Sequence, residues 1–190
     1  MIDRIMETLQ GMLTDPSLSV RISASAAMDR LRARKSKAAY MERLRTGTLE
    51  ERVRVVFAAE EIGGREGLSI LLAALSDAEG EVRGAAVRAL ESTLTPQVLK
   101  ALVEQLPREN GVVLGNLLEA LGKSARRELA PILENYLEHP DFEVRGKAIV
   151  AYGRVAEGEG WRHVLRYSGA ESETVRAAAA RALGEWTNDR

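Results

Sequence analysis

The sequence predicts an all-α protein: an α-solenoid of about six helical pairs that repeat every 31 residues. The first observation is a Val-Arg pair followed by small residues, as in "EVRGAAVRALES" from Glu81, which returns in "SVRISASAAMD" from Ser19 and "TVRAAAARALG" from Thr174. The second is the equal spacing, by that same period, of Val82, Val113, Val144 and Val175. The third is that turn signals separate amphipathic helical runs, with no alternating strand pattern to compete.

Each Val-Arg pair opens a helix, here called B, whose apolar residues follow helical spacing, as in Val82, Ala86 and Ala89. In the first half of the chain, Val53 lies 33 residues after Val20 and 29 residues before Val82. We interpret this as two extra residues in the "TGTLEER" loop that are compensated later. Small residues in the B helices let neighbouring backbones approach; they stand at positions 85, 86, 89, 178, 179 and 182.

A second amphipathic run, here called helix A, precedes each B helix. The runs cover residues 2–13, 37–44, 68–75, 98–106, 129–137 and 161–167. The segments between helices are rich in Gly, Pro, Asp and Ser, and "IGGREG" at 62–67 is interpreted as an inter-repeat turn. We expect twelve helices in six antiparallel pairs, forming one domain over residues 1–190.

Composition excludes several classes of function. The chain has 27 Lys and Arg against 28 Asp and Glu, a net charge of -1, so no global field attracts nucleic acid or an anionic membrane. The absence of cysteine removes disulfides and thiolate sites and favours a reducing compartment. The longest apolar run, "LLAAL", is too short to span a bilayer, and "MIDRIMETLQ" lacks the features of a signal peptide. We therefore expect a cytoplasmic protein.

The Val-Arg-Ala-Ala-x-x-Ala-Leu-Gly pattern resembles the short bacterial kind of HEAT-like repeat, which is also found in phycobilisome lyase-type proteins. The clearest copies are "SDAEGEVRGAAVRAL" and "ETVRAAAARALGEW". The resemblance covers essentially the whole chain. It implies an armadillo-like helical scaffold that binds protein.

The resemblance also implies a ladder of hydrogen bonds between an Asp before helix B and the Arg that opens it. Asp15 with Arg21 and Asp77 with Arg83 fit this pattern. In repeats four to six the Asp position holds Arg108, His139 and Ala170, so these repeats are expected to be held more by apolar packing than by the ladder. The alternative is that the arginines form an anion-binding stripe; the series is Arg21, Arg54, Arg83, Arg145 and Arg176.

One segment is concentrated in positive charge. "DRLRARKSK" is predicted to lie between helix B of repeat one and helix A of repeat two, and it contributes Arg30, Arg32, Arg34, Lys35 and Lys37. A contact with a phosphate backbone is one interpretation, and a solvated surface between helices is the other. Because about five local charges in a neutral protein attract DNA weakly, we expect no specific nucleic-acid partner.

No catalytic motif or cofactor site is found, so no metal ion or cofactor is predicted. The two histidines, His139 and His163, lack the paired His-Glu motifs that resemble the iron-binding HEAT-repeat hydroxylases, and His139 is predicted to replace the ladder Asp as a turn hydrogen-bonder. The enzyme alternative is a lyase-type factor or a HEAT-like DNA-repair glycosylase, because such glycosylases use residues of the types found at Trp161, Trp186 and Asp189. Those enzymes need a basic groove, which this composition does not supply.

Six of the eight aromatic residues lie in the last third of the chain: Tyr136, Phe142, Tyr152, Trp161, Tyr167 and Trp186. One interpretation is a recognition platform, because aromatic side chains anchor interfaces. The other is a bulky cap in the place of a further repeat.

The sequence favours a non-enzymatic scaffold that binds a protein or peptide through the exposed face of its B helices; it predicts no oligomeric state. If Val82, Ala86 and Ala89 are buried, the opposite face carries Gly84, Val87, Arg88 and their equivalents in the following repeats. The predicted partner-binding residues are Val87, Arg88, Leu118, Glu119, Ile149, Val150 and Arg181. In the competing interpretation Val87, Leu118 and Ile149 lean sideways into neighbouring B helices.

Overall fold

The computed structural model describes residues 1–185, except the side chains of residues 29, 30, 33 and 34. Every regular element in this part of the chain is a helix, which confirms the all-α prediction. The chain divides into two compact units, Met1–Ile70 and Leu71–Arg190, and the division falls inside the fourth helix. That residues 1–190 form one domain stays a prediction.

The N-terminal unit contains three helices and the beginning of a fourth: α1 (Ile2–Met12), α2 (Leu18–Thr46), α3 (Leu49–Ile62) and α4 (Gly64–Ala74). Helix α1 packs on α2, and α2 packs on α3. The predicted break between helix B of repeat one and helix A of repeat two is wrong, because both belong to the 29-residue helix α2. That helix contains no Gly or Pro, so nothing in its sequence interrupts helical hydrogen bonding.

A pair of glycines makes the turn between α3 and α4. Gly63 and Gly64 both have positive φ angles, of 59° and 56°. This left-handed conformation is accessible to glycine without strain, so two consecutive glycines reverse the chain over a minimal length. The interpretation of "IGGREG" as an inter-repeat turn is confirmed.

The C-terminal unit holds the end of α4 and seven further helices. In chain order these are α5 (Gly80–Leu90), α6 (Pro96–Gln105), α7 (Gly111–Lys123), α8 (Ala130–Glu134), α9 (Phe142–Val155), α10 (Trp161–Leu165) and α11 (Glu173–Gly184). The B helices pack in sequence, α5 on α7, α7 on α9 and α9 on α11. The A helices α8 and α10 have only five residues each and continue or begin as 3₁₀ turns. The B helices therefore form the continuous part of this unit.

The six B helices keep one strict period, because the same interval separates each N-cap residue from the next. These N-cap residues are Ser17, Thr48, Glu79, Asn110, Asp141 and Ser172. Thr48 and Glu51 form a reciprocal capping box, which fixes the start of α3 at the position that this period requires. The two extra residues predicted in the "TGTLEER" loop are therefore absent.

The same period shows which arginine belongs to repeat two. Counting one period back from Arg83 leads to Arg52, which is half-buried, and not to Arg54. Arg54 is exposed and pairs with Glu50 one turn earlier in α3, at 2.5 Å between Nη2 and Oε1. The assignment of Arg54 to the ladder is wrong. The Val-Arg pair at 53–54 misled the alignment because it repeats the motif two residues late.

The ladder arginines bind backbone carbonyls of the turn before helix B. Arg83 donates from Nη1 to the carbonyl oxygens of Asp77 and Ala78, at 2.8 and 2.9 Å. Equivalent bonds of 2.7 to 2.9 Å run from Arg21 to Asp15 and Pro16, from Arg145 to His139, and from Arg176 to Ala170 and Glu171. Because these guanidinium groups clamp the turns of their own repeats, the structural interpretation is favoured over an anion-binding stripe.

The aspartate of the ladder accepts a hydrogen bond from the backbone of its own turn, where one from the arginine was predicted. The Oδ1 atom of Asp77 accepts a hydrogen bond from the backbone nitrogen of Glu79 at 2.8 Å and so shapes the turn. In repeat five, Nδ1 of His139 accepts from the nitrogen of Asp141 at 3.2 Å. The predicted turn role of His139 is confirmed. Since the arginine needs only a carbonyl, repeats five and six keep the clamp without an aspartate. The expectation that a missing aspartate weakens the ladder in these two repeats is therefore wrong.

Glycine allows the B helices to come close together. A Cβ atom placed on Gly122 of α7 would lie 2.6 Å from Cα and 2.7 Å from Cβ of Ala151 in α9. One repeat later, a Cβ on Gly153 would lie 2.8 Å from the Cβ of Ala182 in α11. These distances are shorter than van der Waals contact, so helix-to-helix spacing in this unit depends on the missing side chains.

Gly122→Ala is therefore expected to lower the free energy of unfolding by about 1 to 3 kcal/mol, because the added methyl group pushes α7 away from α9. Gly115→Ala in the same helix is the matched control, since its Cβ would meet only the flexible Cγ of Lys147 at 3.6 Å. The control is expected to stabilise by about 0.5 to 1 kcal/mol through helix propensity. Urea unfolding followed by circular dichroism measures both, and a stabilised Gly122→Ala would contradict the close approach.

Candidate functional site

The predicted B-helix face divides into a buried part and an accessible part. Val87, Leu118 and Ile149 are 1 %, 0 % and 0 % exposed, so the prediction that they are exposed is wrong and they belong to the core. This agrees with the competing interpretation, in which they lean into neighbouring helices. Arg88 and Arg181 are exposed, and Glu119 and Val150 are half-buried. These last four residues occupy one position of four successive repeats.

A small cavity of about 110 Å³ brings three of the predicted residues together. It lies between the B helices α7, α9 and α11 of the C-terminal unit. Its lining residues are Glu119, Gly146, Lys147, Val150, Ala151, Arg154, Arg181 and Glu185. Helix α9 supplies five of these from one face, at the i, i+1, i+4, i+5 and i+8 spacing that a helix allows. We call this feature the B-helix cavity.

An alternating chain of charges crosses the helices beside the cavity. Lys123 Nζ of α7 lies 2.6 Å from Oε2 of Glu91, which caps α5, and 3.1 Å from Oε1 of Glu119 one turn away. Lys147 Nζ of α9 in turn lies 2.5 Å from Oε2 of Glu119. The four groups join three successive B helices in one network, which fixes the positions of side chains that are otherwise long and mobile.

At the other end of the cavity, Arg154 of α9 forms a two-pronged ion pair with Glu185. The Nε and Nη2 atoms donate to the two carboxylate oxygens at 2.9 and 3.2 Å. Arg181 lies one helical turn before Glu185 and lines the same cavity. Among the residues that the structure describes, Arg181 makes no ion pair and no hydrogen bond through its side chain. The cavity therefore presents one guanidinium whose donors are not used within the described chain.

The paired groups are held firmly in their charged forms. The hydrogen bond from Lys147 lowers the pKa of Glu119 below its ordinary value, against the effect of burial. The hydrogen bond to Glu91 raises the pKa of Lys123, and that to Glu185 raises the pKa of Arg154. A carboxyl group with a lowered pKa is a poor general acid at neutral pH. The network is suited to binding and positioning more than to proton transfer.

Sequence reasoning missed Lys147, Arg154 and Glu185. The sequence does contain a pattern that indicates them, namely residues of opposite charge about one repeat apart. These pairs are Glu91 with Lys123, Glu119 with Lys147, and Arg154 with Glu185. Such a spacing places the two side chains on adjacent B helices. A search for complementary charges at this spacing finds the network without a structure.

A second concavity lies among the A helices of the C-terminal unit. It has a volume of about 380 Å³ and is lined by Pro96, Leu99, Lys100, Val103, Glu104, Arg126, Glu128 and Leu129. None of its residues was among the predicted partner-binding residues. Its wall is mostly apolar, and it lies on α6 and the 3₁₀ turn before α8. It is the natural comparison site for tests of the B-helix cavity.

The basic segment of residues 29–37 lies inside α2, and its described side chains Arg32 and Lys35 face α1. Lys35 Nζ pairs with Oδ1 of Asp3 at 2.8 Å, and Arg32 and Lys35 line a groove together with Asp3 and Glu7. The side chains of Arg30 and Arg34 lie outside the described residues. The described part of the segment thus meets acidic residues of its own unit, which favours the solvated-surface interpretation.

Binding of duplex DNA is expected to be weak and to disappear near physiological salt, because few positive charges converge on one surface. Fluorescence anisotropy with a labelled duplex at low and physiological salt measures this. Sub-micromolar binding that survives physiological salt would contradict it.

The histidines and aromatic residues do not assemble into a site among the described residues. No group of three His, Cys, Asp or Glu side chains is placed to hold a metal ion in this part of the chain. The Nδ1 atom of His163 lies 3.1 Å from Oε1 of Glu134. Tyr152 and Tyr167 are buried, whereas Phe142 is exposed. Burial, followed by its hydrogen bond to Glu138, raises the pKa of Tyr167 to about 12. Trp186 and Asp189 lie outside the described residues.

No described helix has both the length and the apolar character that a membrane span requires. This statement covers residues 1–185.

Comparison with known proteins supplies a family and a fold. Two overlapping segments, residues 40–121 and 99–184, match a model of HEAT repeats. No match to a curated protein was found. Human deoxyhypusine hydroxylase in complex with glycerol is similar in structure, with a TM-score of 0.59 and 20 % identity over 83 % of this chain. The chain spans 65 % of the length of that enzyme.

An engineered protein is also similar, with a TM-score of 0.53 and 20 % identity over 94 % of this chain and 95 % of its own. At 20 % identity both similarities concern the fold alone.

Proposed function

Because the chain belongs to the HEAT-repeat family, we propose that it is a non-enzymatic scaffold that binds a protein or peptide partner. The binding surface is the accessible B-helix face of the C-terminal unit, centred on the B-helix cavity. The residues proposed to contact the partner are Arg88, Glu119, Lys147, Val150, Arg154 and Arg181. We further propose that residues 1–190 act as one domain in the cytoplasm, in keeping with the absence of cysteine.

The observation that carries this proposal is the ordered charge network around a cavity. Ion pairs across α5, α7 and α9 and between α9 and Glu185 hold side chains in place before any partner arrives. Such pre-organisation reduces the entropy cost of binding, and fixed charges of both signs select partners of matching pattern. A mixed surface of this kind suits a protein better than a nucleic acid, which needs a concentration of positive charge.

The enzyme alternative has less support. The Glu119 carboxyl of the cavity is paired with Lys147 and its pKa is lowered, which is the reverse of the shift that a general acid requires. The glycosylase interpretation depends partly on Trp186 and Asp189, which lie outside the described residues. The likeness to a hydroxylase concerns its fold.

Site-specific photo-cross-linking tests the proposed surface. A benzophenone amino acid is placed at Arg88 or Ala180, which are exposed on B helices, or at Lys100, which is exposed on the A helix α6. After irradiation in cell extract, we expect one discrete protein to be cross-linked from positions 88 and 180 and not from position 100. The purified protein should then bind the unmodified chain in solution. Cross-linking from position 100 alone, or no discrete product from any position, would contradict the proposal.

A further inference from the structure

We propose that the B-helix cavity receives a carboxylate side chain from an acidic segment of the partner, with Arg181 as the group that binds it. This inference rests on the proposed function and names the chemistry of the partner at one point of the surface. It follows from the size of the cavity, its charge and the position of Arg181.

The size of the cavity suits a short acidic side chain. Its volume of about 110 Å³ is smaller than that of an engineered apolar cavity that binds benzene, roughly 150 Å³. A carboxylate with one or two methylene groups has about this size, whereas an aromatic ring needs a larger space. Val150 and Ala151 offer apolar contact to the methylene groups, and Gly146 leaves the wall free of a side chain.

The charge of the cavity favours one negative group. Among the described residues, its lining holds three cations, Lys147, Arg154 and Arg181, and two anions, Glu119 and Glu185. Lys147 and Arg154 are each bound to one of the anions, so the excess positive charge belongs to Arg181. A single carboxylate balances this excess. A doubly charged phosphate would exceed it and would meet repulsion from the flanking glutamates.

Arg181 has the right chemistry for this contact. A guanidinium presents parallel N–H donors that match the two oxygens of a carboxylate. Its own carboxylate neighbour, Glu185, already accepts two hydrogen bonds from Arg154. Arg181 is exposed at the rim, so an incoming side chain reaches it without displacing a structural bond.

Arg108 of the 3₁₀ turn before α7 supplies a matched control. It is exposed and, among the described residues, makes no ion pair. It neither lines the cavity nor belongs to the surface proposed to contact the partner. Arg108→Gln and Arg181→Gln therefore remove the same charge, and only the second changes the cavity.

The experiment uses two libraries of short randomised peptides that differ only at one fixed central residue, Glu or Gln. The full chain is immobilised, and the retained amount of each library is measured. We expect the Glu library to be retained about tenfold more, and we expect Arg181→Gln to abolish this preference while Arg108→Gln keeps it. Val150→Glu, which places a carboxylate of the chain itself in the cavity, should also abolish the preference. Circular dichroism verifies that each variant is folded.

Three results would overturn the inference. They are equal retention of the two libraries by the natural chain, an equal loss of preference in Arg108→Gln and Arg181→Gln, and complete displacement of the Glu library by millimolar inorganic phosphate. The last result would identify a free anion site. None of these results affects cross-linking of a partner from positions 88 and 180, so failure of the carboxylate inference is distinct from failure of the proposed function.

Discussion

Leu118→Glu is expected to unfold the C-terminal unit, with a loss of more than about 4 kcal/mol in the free energy of unfolding. The side chain of Leu118 is completely buried in helix α7. A glutamate at this position must either ionise inside the apolar core or take up a proton, and both cost free energy. Thermal unfolding followed by circular dichroism at 222 nm measures the effect.

Two controls in the same helix separate burial from the chemistry of glutamate. Val112 is 77 % exposed, so Val112→Glu should change stability by less than about 0.5 kcal/mol. Leu118→Met conserves volume and should cost less than about 1.5 kcal/mol. A Leu118→Glu variant with an unchanged melting temperature would show that the residue faces solvent and would restore it to the binding surface.

Arg83→Ala is expected to destabilise the chain by about 3 kcal/mol or more, because it leaves a buried carboxylate without its partner. Arg83 binds the side chain of Glu109, which is 5 % exposed, through Nε and through Nη2, the latter at 2.9 Å, besides two carbonyls of its own turn. It thus joins the turns of repeats three and four. The Glu109 carboxylate raises the pKa of the Arg83 guanidinium, so the arginine keeps its charge.

Arg54→Ala is the control, since this arginine pairs with Glu50 at the surface, and its loss should cost less than about 0.5 kcal/mol. Adding Glu109→Gln to Arg83→Ala should recover part of the lost stability by removing the unpaired charge. Urea unfolding measures the free energy of unfolding of the three variants. Equal effects of Arg54→Ala and Arg83→Ala would contradict the assignment of the clamp.

The sequence was a good guide to the period and a poorer guide to the register of repeat two. Val82, Val113, Val144 and Val175 establish the period because their helices pack alike. In repeat two the most visible motif, Val53-Arg54, lies two residues after Glu51-Arg52, which is the structural equivalent of Val82-Arg83. The better signal was the capping box of Thr48 and Glu51, because it depends on local backbone hydrogen bonds at the helix start.

The helical wheel failed at Val87, Leu118 and Ile149 for a physical reason. It assumes one buried face, but an internal B helix is covered by its own A helix and by the B helices on both sides. Small residues such as Gly115 and Gly146 on the predicted exposed face are buried as well. Of the residues predicted to rim the exposed face, Arg88 and Arg181 are exposed and Glu119 is half-buried. The volume of the cavity was beyond prediction, because it depends on how the side chains of three B helices pack against one another.

The most direct test of the central claim is lysine footprinting of the chain with its cross-linked partner, once that partner is purified. Lys147 lies on the accessible B-helix face, and Lys100 lines the concavity among the A helices. Acetylation by a mild reagent is measured by mass spectrometry with and without the partner. The account predicts that the partner protects Lys147 and leaves Lys100 as reactive as before. Protection of Lys100 with unchanged reactivity at Lys147 would place the partner on the A helices and contradict it.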